Sequence, residues 1–522
     1  MKMSPLAKIS ASLAAVAIAL TASGCAGGTT TPEATSSTGE GTTETYTPPT
    51  QVLALAGRID IKSWDPSQAD IGHLIPYYQA VYDNLVIRTP DGEYAPNLAT
   101  DWSWNEDQTV LTMKLRTDVT FTDGAVFNAD VAKANLDNFI NGNGPYSATL
   151  AGVTVSVIDA ETIELALSEA NPDFLYYLAT TGSFMASPNA LGTEALATNP
   201  VGSGPYVLSG TSLPGSSLNF DLNPNYWDKA KQKFLAVNFT ILLDTTATLN
   251  ALASGQIDAG LLDTQTGDAA VSAGKSLNEN FVDWSGLLIF DHNGQKNTPL
   301  ADVRVRQALA YALDREAMLE SLQRGFGEVT NQVYGKASEA YLPELDNYYS
   351  YDPAKAKALL AEAGYPNGGV KITLPGGLFP TLDAVLVDYL NAVGFQTTIQ
   401  SVAPAEYRNE MRAGNFAAGW FQLFQGTAWV NTKLVATSDA SWNVLGSTDP
   451  VIEAAVASIK ADASDANVQA QTQAINRFLV ENAWYVPFYR VPQLFYFDAN
   501  KVEVQNQVQN AVPYLYNYSP AN

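Results

Sequence analysis

The sequence predicts a mixed α/β body organised as two or three lobes, and three observations predict it. Helical stripes with recognisable caps alternate with short β-rich runs along the chain. The 522 residues exceed one ordinary domain of about 100–200 residues several times over. No stretch after Gln51 approaches the roughly 18 consecutive apolar residues of a membrane span, so the body is expected to be soluble.

The chain begins differently. Lys2 and Lys8 precede the apolar, small-residue run Ile9 to Ala22, which Ala22-Ser23-Gly24-Cys25 closes. This segment resembles a bacterial lipoprotein signal peptide with its lipobox, Ala22 standing where lipoboxes prefer leucine. The resemblance implies that residues 1–24 are removed and that Cys25 carries lipid, anchoring an extracytoplasmic protein to the outer face of the cell membrane, in a periplasmic or cell-wall space. Residues 25–50 hold almost nothing that could fill a core and read as a flexible tether. Cys25 is the only cysteine, so a disulfide within the chain is impossible.

From Gln51 the composition becomes globular. The 28 basic and 53 acidic residues give a formal net charge of −25, which argues against nucleic acid or anionic lipid as a partner. Short β-rich runs occur at Val52 to Leu55, Val110 to Leu115, Thr162 to Ala166, Ser217 to Leu222, Ala236 to Leu243 and Thr397 to Val402. A helix from about Asn128 to Ile140 follows the Asp123-Gly124 turn and buries Val131, Leu136, Phe139 and Ile140. A second is expected over Asp302 to Phe326, capped by Asp302, striped by Val305, Ala308, Leu309, Ala312 and Leu313, and stopped by Gly325. A third, Tyr351 to Pro366, has Asp352 as N-cap, Pro353 in the first turn and Gly364 and Pro366 as terminators.

Ordered motifs then carry a family resemblance. They run from Ser63-Trp64-Asp65-Pro66 through Val81-Tyr82-Asp83-Asn84-Leu85-Val86 and Pro96-Asn97-Leu98-Ala99-Thr100-Asp101-Trp102 to Leu115-Arg116, Phe121-Thr122-Asp123-Gly124 and Phe127-Asn128-Ala129-Asp130-Val131. Val201-Gly202-Ser203-Gly204-Pro205-Tyr206, Asn223-Pro224-Asn225-Tyr226-Trp227, Asp302 to Ala308, Tyr311 to Arg315 and Asp352 to Tyr365 follow. The series resembles the solute-binding proteins of bacterial ABC importers, extracellular family 5, which includes oligopeptide, dipeptide and nickel binders. The resemblance implies a type II periplasmic-binding-protein fold, a Venus flytrap of two lobes with an extra domain inserted in the first. It places lobe 1 at 51–292 and 483–522, the inserted subdomain at about 87–199 and lobe 2 at 293–482. It also implies a monomer that closes over a small-molecule ligand and hands it to ABC permease subunits, with no cofactor and no catalysis. Asp302, Arg304, Arg306, Asp314 and Arg315 are expected to cap helices and pair on a surface or lobe seam. Gly202 to Pro205 reads as a tight turn at the crossover between lobes.

Ala418 to Asn431, AGWFQLFQGTAWVN, speaks to the ligand. Gly419-Trp420 matches the place where peptide-binding relatives carry GW followed by an aspartate for the ligand's terminal ammonium, and by register that aspartate falls on Leu423. No acid occurs between Gly419 and Asn431. The candidate ligand contacts are Trp420, Phe421, Gln422, Leu423 and Gln425, aromatic faces interleaved with amides. Tyr489, after Val486-Pro487-Phe488, matches a tyrosine often found lining the family cleft; His73, just past the Asp65-Pro66 turn, is a further cleft candidate, although a lone histidine is more often structural. Each aromatic other than Trp420 can equally alternate into a strand core. The family prior favours a peptide; the acid missing at Leu423 favours a neutral oligosaccharide as the alternative.

Two further classes fit worse. His73 and His292 are the only histidines and lie in no metal-ligand spacing, so no metal site is expected, though nickel relatives hold a chelated metal with few protein ligands. A secreted hydrolase would need an activated nucleophile or a close carboxylate pair, and the chain has no G-x-S-x-G elbow.

Overall fold

The helix signals fold as helices, with one revision. The computed structural model describes residues 48–521; the expected signal peptide, Cys25 and nearly all of the expected tether lie outside the described residues. Asn128 caps Ala129–Asn141, its Oδ1 accepting from Val131 N at 3.0 Å, and Asp352 caps Pro353–Glu362 through Lys355 N at 2.9 Å. The single helix expected over Asp302 to Phe326 is two, Val303–Tyr311 and Arg315–Gln323. Asp314 divides the stripe because it takes extended backbone and caps the second helix through Ala317 N at 3.1 Å. Arg315 then folds back to donate to the Ala310 carbonyl at 3.0 Å.

The strands assemble mainly into one nine-stranded mixed sheet. Its order runs Ala418–Phe424, Ser276–Ile289, Tyr485–Phe497, Ala259–Leu262, Val52–Gly57, Ala236–Ile241, Ser217–Leu222 and Tyr206–Leu208, with Glu328–Val329 added beside Tyr485–Phe497. Val52–Gly57 pairs in parallel with both of its neighbours, and the remaining pairs are antiparallel. The two long strands, of 14 and 13 residues, are shared between different cores. Phe495 and Phe497 pack with Leu53, Leu55 and Phe239 at one end; Leu287, Val486 and Tyr489 pack with Leu309, Leu386 and Trp420 at the other. A β-bulge between Phe281 and Asp283 marks the passage from one region to the next. A separate four-stranded antiparallel sheet, Ala99–Trp104, Val110–Leu115, Thr162–Ala166 and Thr154–Asp159, forms its own core with Ala129–Asn141 and Phe174–Ala179.

Several of the ordered motifs meet at one buried carboxylate. Asp83 is fully buried and accepts from Ser203 Oγ at 2.9 Å, Tyr226 Oη at 3.0 Å and Trp227 Nε1 at 3.0 Å. Arg116 lies over the Trp227 ring at 4.1 Å. The motifs therefore fasten the four-stranded part to the large sheet. Gly202 and Gly204 are required there, since a Cβ on either would overlap the backbone of Val81. That turn stands where the chain returns from the four-stranded part to the large sheet, rather than at a crossover between lobes.

The arginines also depart from expectation. Asp302 and Arg304 form the expected half-exposed pair at 2.6 Å, but Arg306 and Arg315 are buried. Arg306 donates to the carbonyls of Leu300 at 2.8 Å and Asn482 at 3.1 Å, and Arg315 to that of Pro487 at 2.7 Å. They tie both helices to the start of the second long strand, and burial pulls both guanidinium groups down to about 10.

Candidate ligand-binding site

Strand alternation divides the predicted contacts between two faces of Ala418–Phe424. Trp420 and Gln422 share one face. Trp420 is buried, donates from Nε1 to Ser285 Oγ at 2.8 Å and meets the exposed Phe379 edge-on at 4.8 Å. Tyr489, also buried, stands opposite Ser285 in the neighbouring strand and packs in the same core as Trp420. Exposed Gln422 donates to Asp283 Oδ2 at 2.9 Å, which also accepts from Gln493 at 3.2 Å.

Phe421 and Leu423 occupy the other face. Phe421 lies against Trp442 at 4.8 Å, and Leu423 is buried among Trp284, Met411 and Trp442. Gln425 lies beyond the strand, buried, donating to the Val333 carbonyl at 3.0 Å while its Oε1 has no partner. His73 is brought to none of these: it lines a small gap beside Gly57, Arg58 and Tyr77, and burial with Arg58 nearby lowers it to about 4. His292 stacks on Trp484 at 3.7 Å in a different core. Among the described residues, no group of three or more His, Cys, Asp and Glu side chains could hold a metal ion.

A second constellation lies where the four-stranded part meets the region after residue 333. Thr427 caps the helix Ala428–Val435, and Glu339 Oε2 accepts from Ala428 N at 3.1 Å. Asp173, only 5% exposed, comes from the four-stranded part to lie against Thr427 and Val430. Burial pushes its carboxyl up to about 7; Glu339 adds to the shift, while Thr427, Val430 N and Arg88 oppose it. Arg88 is buried beside it, donating to Gln509 Oε1 at 2.8 Å, Val508 O at 3.2 Å and Gly92 O at 3.3 Å, with its guanidinium 5.1 Å from the Tyr176 ring. The hydroxyls of Tyr94, Tyr176 and Tyr177 are raised by burial and by the charge of Asp173. A half-exposed pair, Lys460 with Glu169 at 2.9 Å, spans the same seam.

The sequence reading did not reach Asp173, Glu339, Arg88 or the three tyrosines. Asp173 precedes Phe174–Ala179 and has the appearance of an ordinary N-cap; the usable signal was Asn171, whose Oδ1 already accepts from the Asp173 amide at 3.1 Å.

The bacterial extracellular solute-binding proteins, family 5 middle model matches residues 93–443, and the chain belongs to that family. Heme-binding protein A of Haemophilus influenzae is 27% identical over 382 residues, covering 66% of this chain and 68% of that protein. The dipeptide-binding protein of Escherichia coli is 28% identical over 323 residues, 56% of this chain and 59% of that one. Among solved structures, HbpA2 from Haemophilus parasuis superposes with a TM-score of 0.79 at 22% identity, over 90% of this chain and all of that one. A dipeptide-binding protein from Pseudoalteromonas sp. SM9913 in complex with Met-Leu gives a TM-score of 0.72 at 18% identity, over 90% of this chain and 100% of its own. The fold is that of the type II periplasmic binding proteins. These relatives are solute-binding proteins rather than enzymes, and membership places the chain outside the cytoplasm.

Proposed function

We propose that this protein is the receptor of an ABC importer, capturing a small solute, most readily a peptide, in the seam between its halves and delivering it to the permease. The observation that carries the reading is the seam itself: Asp173, Arg88 and three tyrosines from the four-stranded part stand opposite Thr427 and Glu339. Two long strands shared between cores are the geometry of a hinge, and closure on a ligand is favoured by contacts from both halves. In this reading Gln425 lies nearest the ligand, while Trp420, Phe421, Leu423 and Tyr489 pack in the cores that carry the strand. Cys25 carries the lipid that holds the receptor at the membrane, and the tether lets it reach the permease. The oligosaccharide alternative gains no support from the relatives, which are named for heme, glutathione, dipeptide and nickel.

The test is to purify the protein gently, denature it and identify the released small molecule by mass spectrometry. Peptides of narrow length range are expected. A sugar or a metal chelate would refute the peptide assignment while leaving the receptor; release of chemically altered substrate on incubation would refute the receptor itself.

A further inference from the structure

We propose that Asp173 holds a positively charged amine of the bound solute; the inference rests on the receptor reading above and names the group that the site recognises. Asp173 occupies the N-cap position of Phe174–Ala179 but makes no capping hydrogen bond, although capping is the usual work of an aspartate there. Its Oδ2 is buried with no hydrogen-bond partner. A carboxylate so placed is costly to keep charged unless a donor reaches it.

Thr427 and the Val430 amide reach the carboxyl, but Oδ2 is left without a donor, and no cation among the described residues forms an ion pair with it. Arg88 spends its guanidinium on Gly92, Val508 and Gln509, and Lys460 is engaged with Glu169 at the rim. What surrounds the carboxyl is suited to a cation. Tyr94, Tyr176 and Tyr177 lie near the carboxyl, and the Tyr176 ring already accommodates one cation, the Arg88 guanidinium at 5.1 Å. Glu339, across the seam, repels a second anion.

Gln425 makes the same point independently from the other wall. Two residues before Thr427, it is 1% exposed, and its Oε1 is likewise a buried acceptor without a donor. Asp173 Oδ2 and Gln425 Oε1 are thus two buried acceptors left without a donor, one in each of the segments that meet here. A primary ammonium brings three donors and a charge, which a sugar hydroxyl or a carboxylate does not. The acid absent at Leu423 is thus supplied from the opposite half of the molecule.

The test is calorimetric titration of the wild-type protein and Asp173→Asn with trialanine and with N-acetyl-trialanine, preceded by a thermal-shift screen of dipeptides, tripeptides, glutathione and opines. The wild type is expected to bind the free amine roughly 10- to 100-fold more tightly than the acetylated form, and Asp173→Asn to bind both equally weakly. The acetylated ligand tests the wild-type protein directly, so the result stands even if the variant folds poorly. Equal wild-type affinity for the two forms, or full affinity of a folded Asp173→Asn for the free amine, overturns the proposal. If only amine-bearing compounds other than peptides bind, the peptide reading falls and this one is read with that compound and its acetylated form. If no amine-bearing compound binds, this proposal falls.

Discussion

The carboxyl of Asp173 makes the stability of the empty protein depend on pH in a direction opposite to that of an ordinary ion-paired aspartate. Below about pH 4 both the folded and the unfolded chain hold this proton; between about 4 and 7 only the folded chain does, so stability falls as pH rises through that window. Raising the group from its ordinary 3.8 to about 7 corresponds to about 4 kcal/mol at 1.36 kcal/mol per tenfold change. The shift comes from burial first; Glu339 reinforces it, and Thr427, Val430 N and Arg88 oppose it. Asp118, Asp123 and Asp263, whose hydrogen bonds hold them below the usual range, titrate in the opposite sense at lower pH, and a comparison with Asp173→Asn cancels them. Urea denaturation of both proteins from about pH 4 to pH 8 should show wild-type stability, taken relative to the variant, falling by about 4 kcal/mol. A saturating cationic ligand should remove the slope, because it stabilises the charged form. A difference curve flat to within about 1 kcal/mol would refute the burial argument at its root.

Three other outcomes follow from the packing. Asp83→Ala strands the donors of Ser203, Tyr226 and Trp227, each costing about 1–3 kcal/mol, so chemical denaturation should show a loss of at least about 3 kcal/mol. Gly204→Ala drives a methyl into the backbone of Val81 and Tyr82, and a loss of about 1–3 kcal/mol or outright misfolding is expected by circular dichroism and thermal melting. Leu423→Asp places a carboxylate among Trp284, Met411 and Trp442, so it should lower stability by several kcal/mol without tightening peptide binding, as thermal shift and calorimetry would show.

The elements were legible where local chemistry decides them. Asn128, Asp352 and Asp302 each cap the helix that their position announces, and the limits of Val110–Leu115, Thr162–Ala166 and Ser217–Leu222 match the runs read from the chain. Asp314 was harder to read because an aspartate inside an apolar stripe suits an exposed helical face as well as a new N-cap. Only Arg315, reaching the carbonyls of Ala310 and Pro487, selects the break. The same long-range geometry hides the role of the motifs. Ser203, Tyr226 and Trp227 lie more than a hundred positions from Asp83, and no spacing rule connects them.

The site was less legible for a related reason. A strand states which residues share a face, so Trp420 and Gln422 could be separated from Phe421 and Leu423, but alternation does not say which face a neighbouring core will cover. Trp420 faces a core built by helices from earlier in the chain, including Leu309 and Leu386. Asp173 presents the converse problem. Its local sequence accounts for it fully as a cap, and its distinction lies in a bond that it does not make and in a helix more than 250 residues away. A search confined to where an acid is missing, at Leu423, looks along one strand. The chemistry of a two-sided seam allows the compensating charge to come from either wall, because a ligand closed between them senses the summed field rather than the strand that supplied it. Receptors of this architecture can therefore keep a recognition group while moving it across the hinge, and the amine comparison with Asp173→Asn tests whether this one has done so.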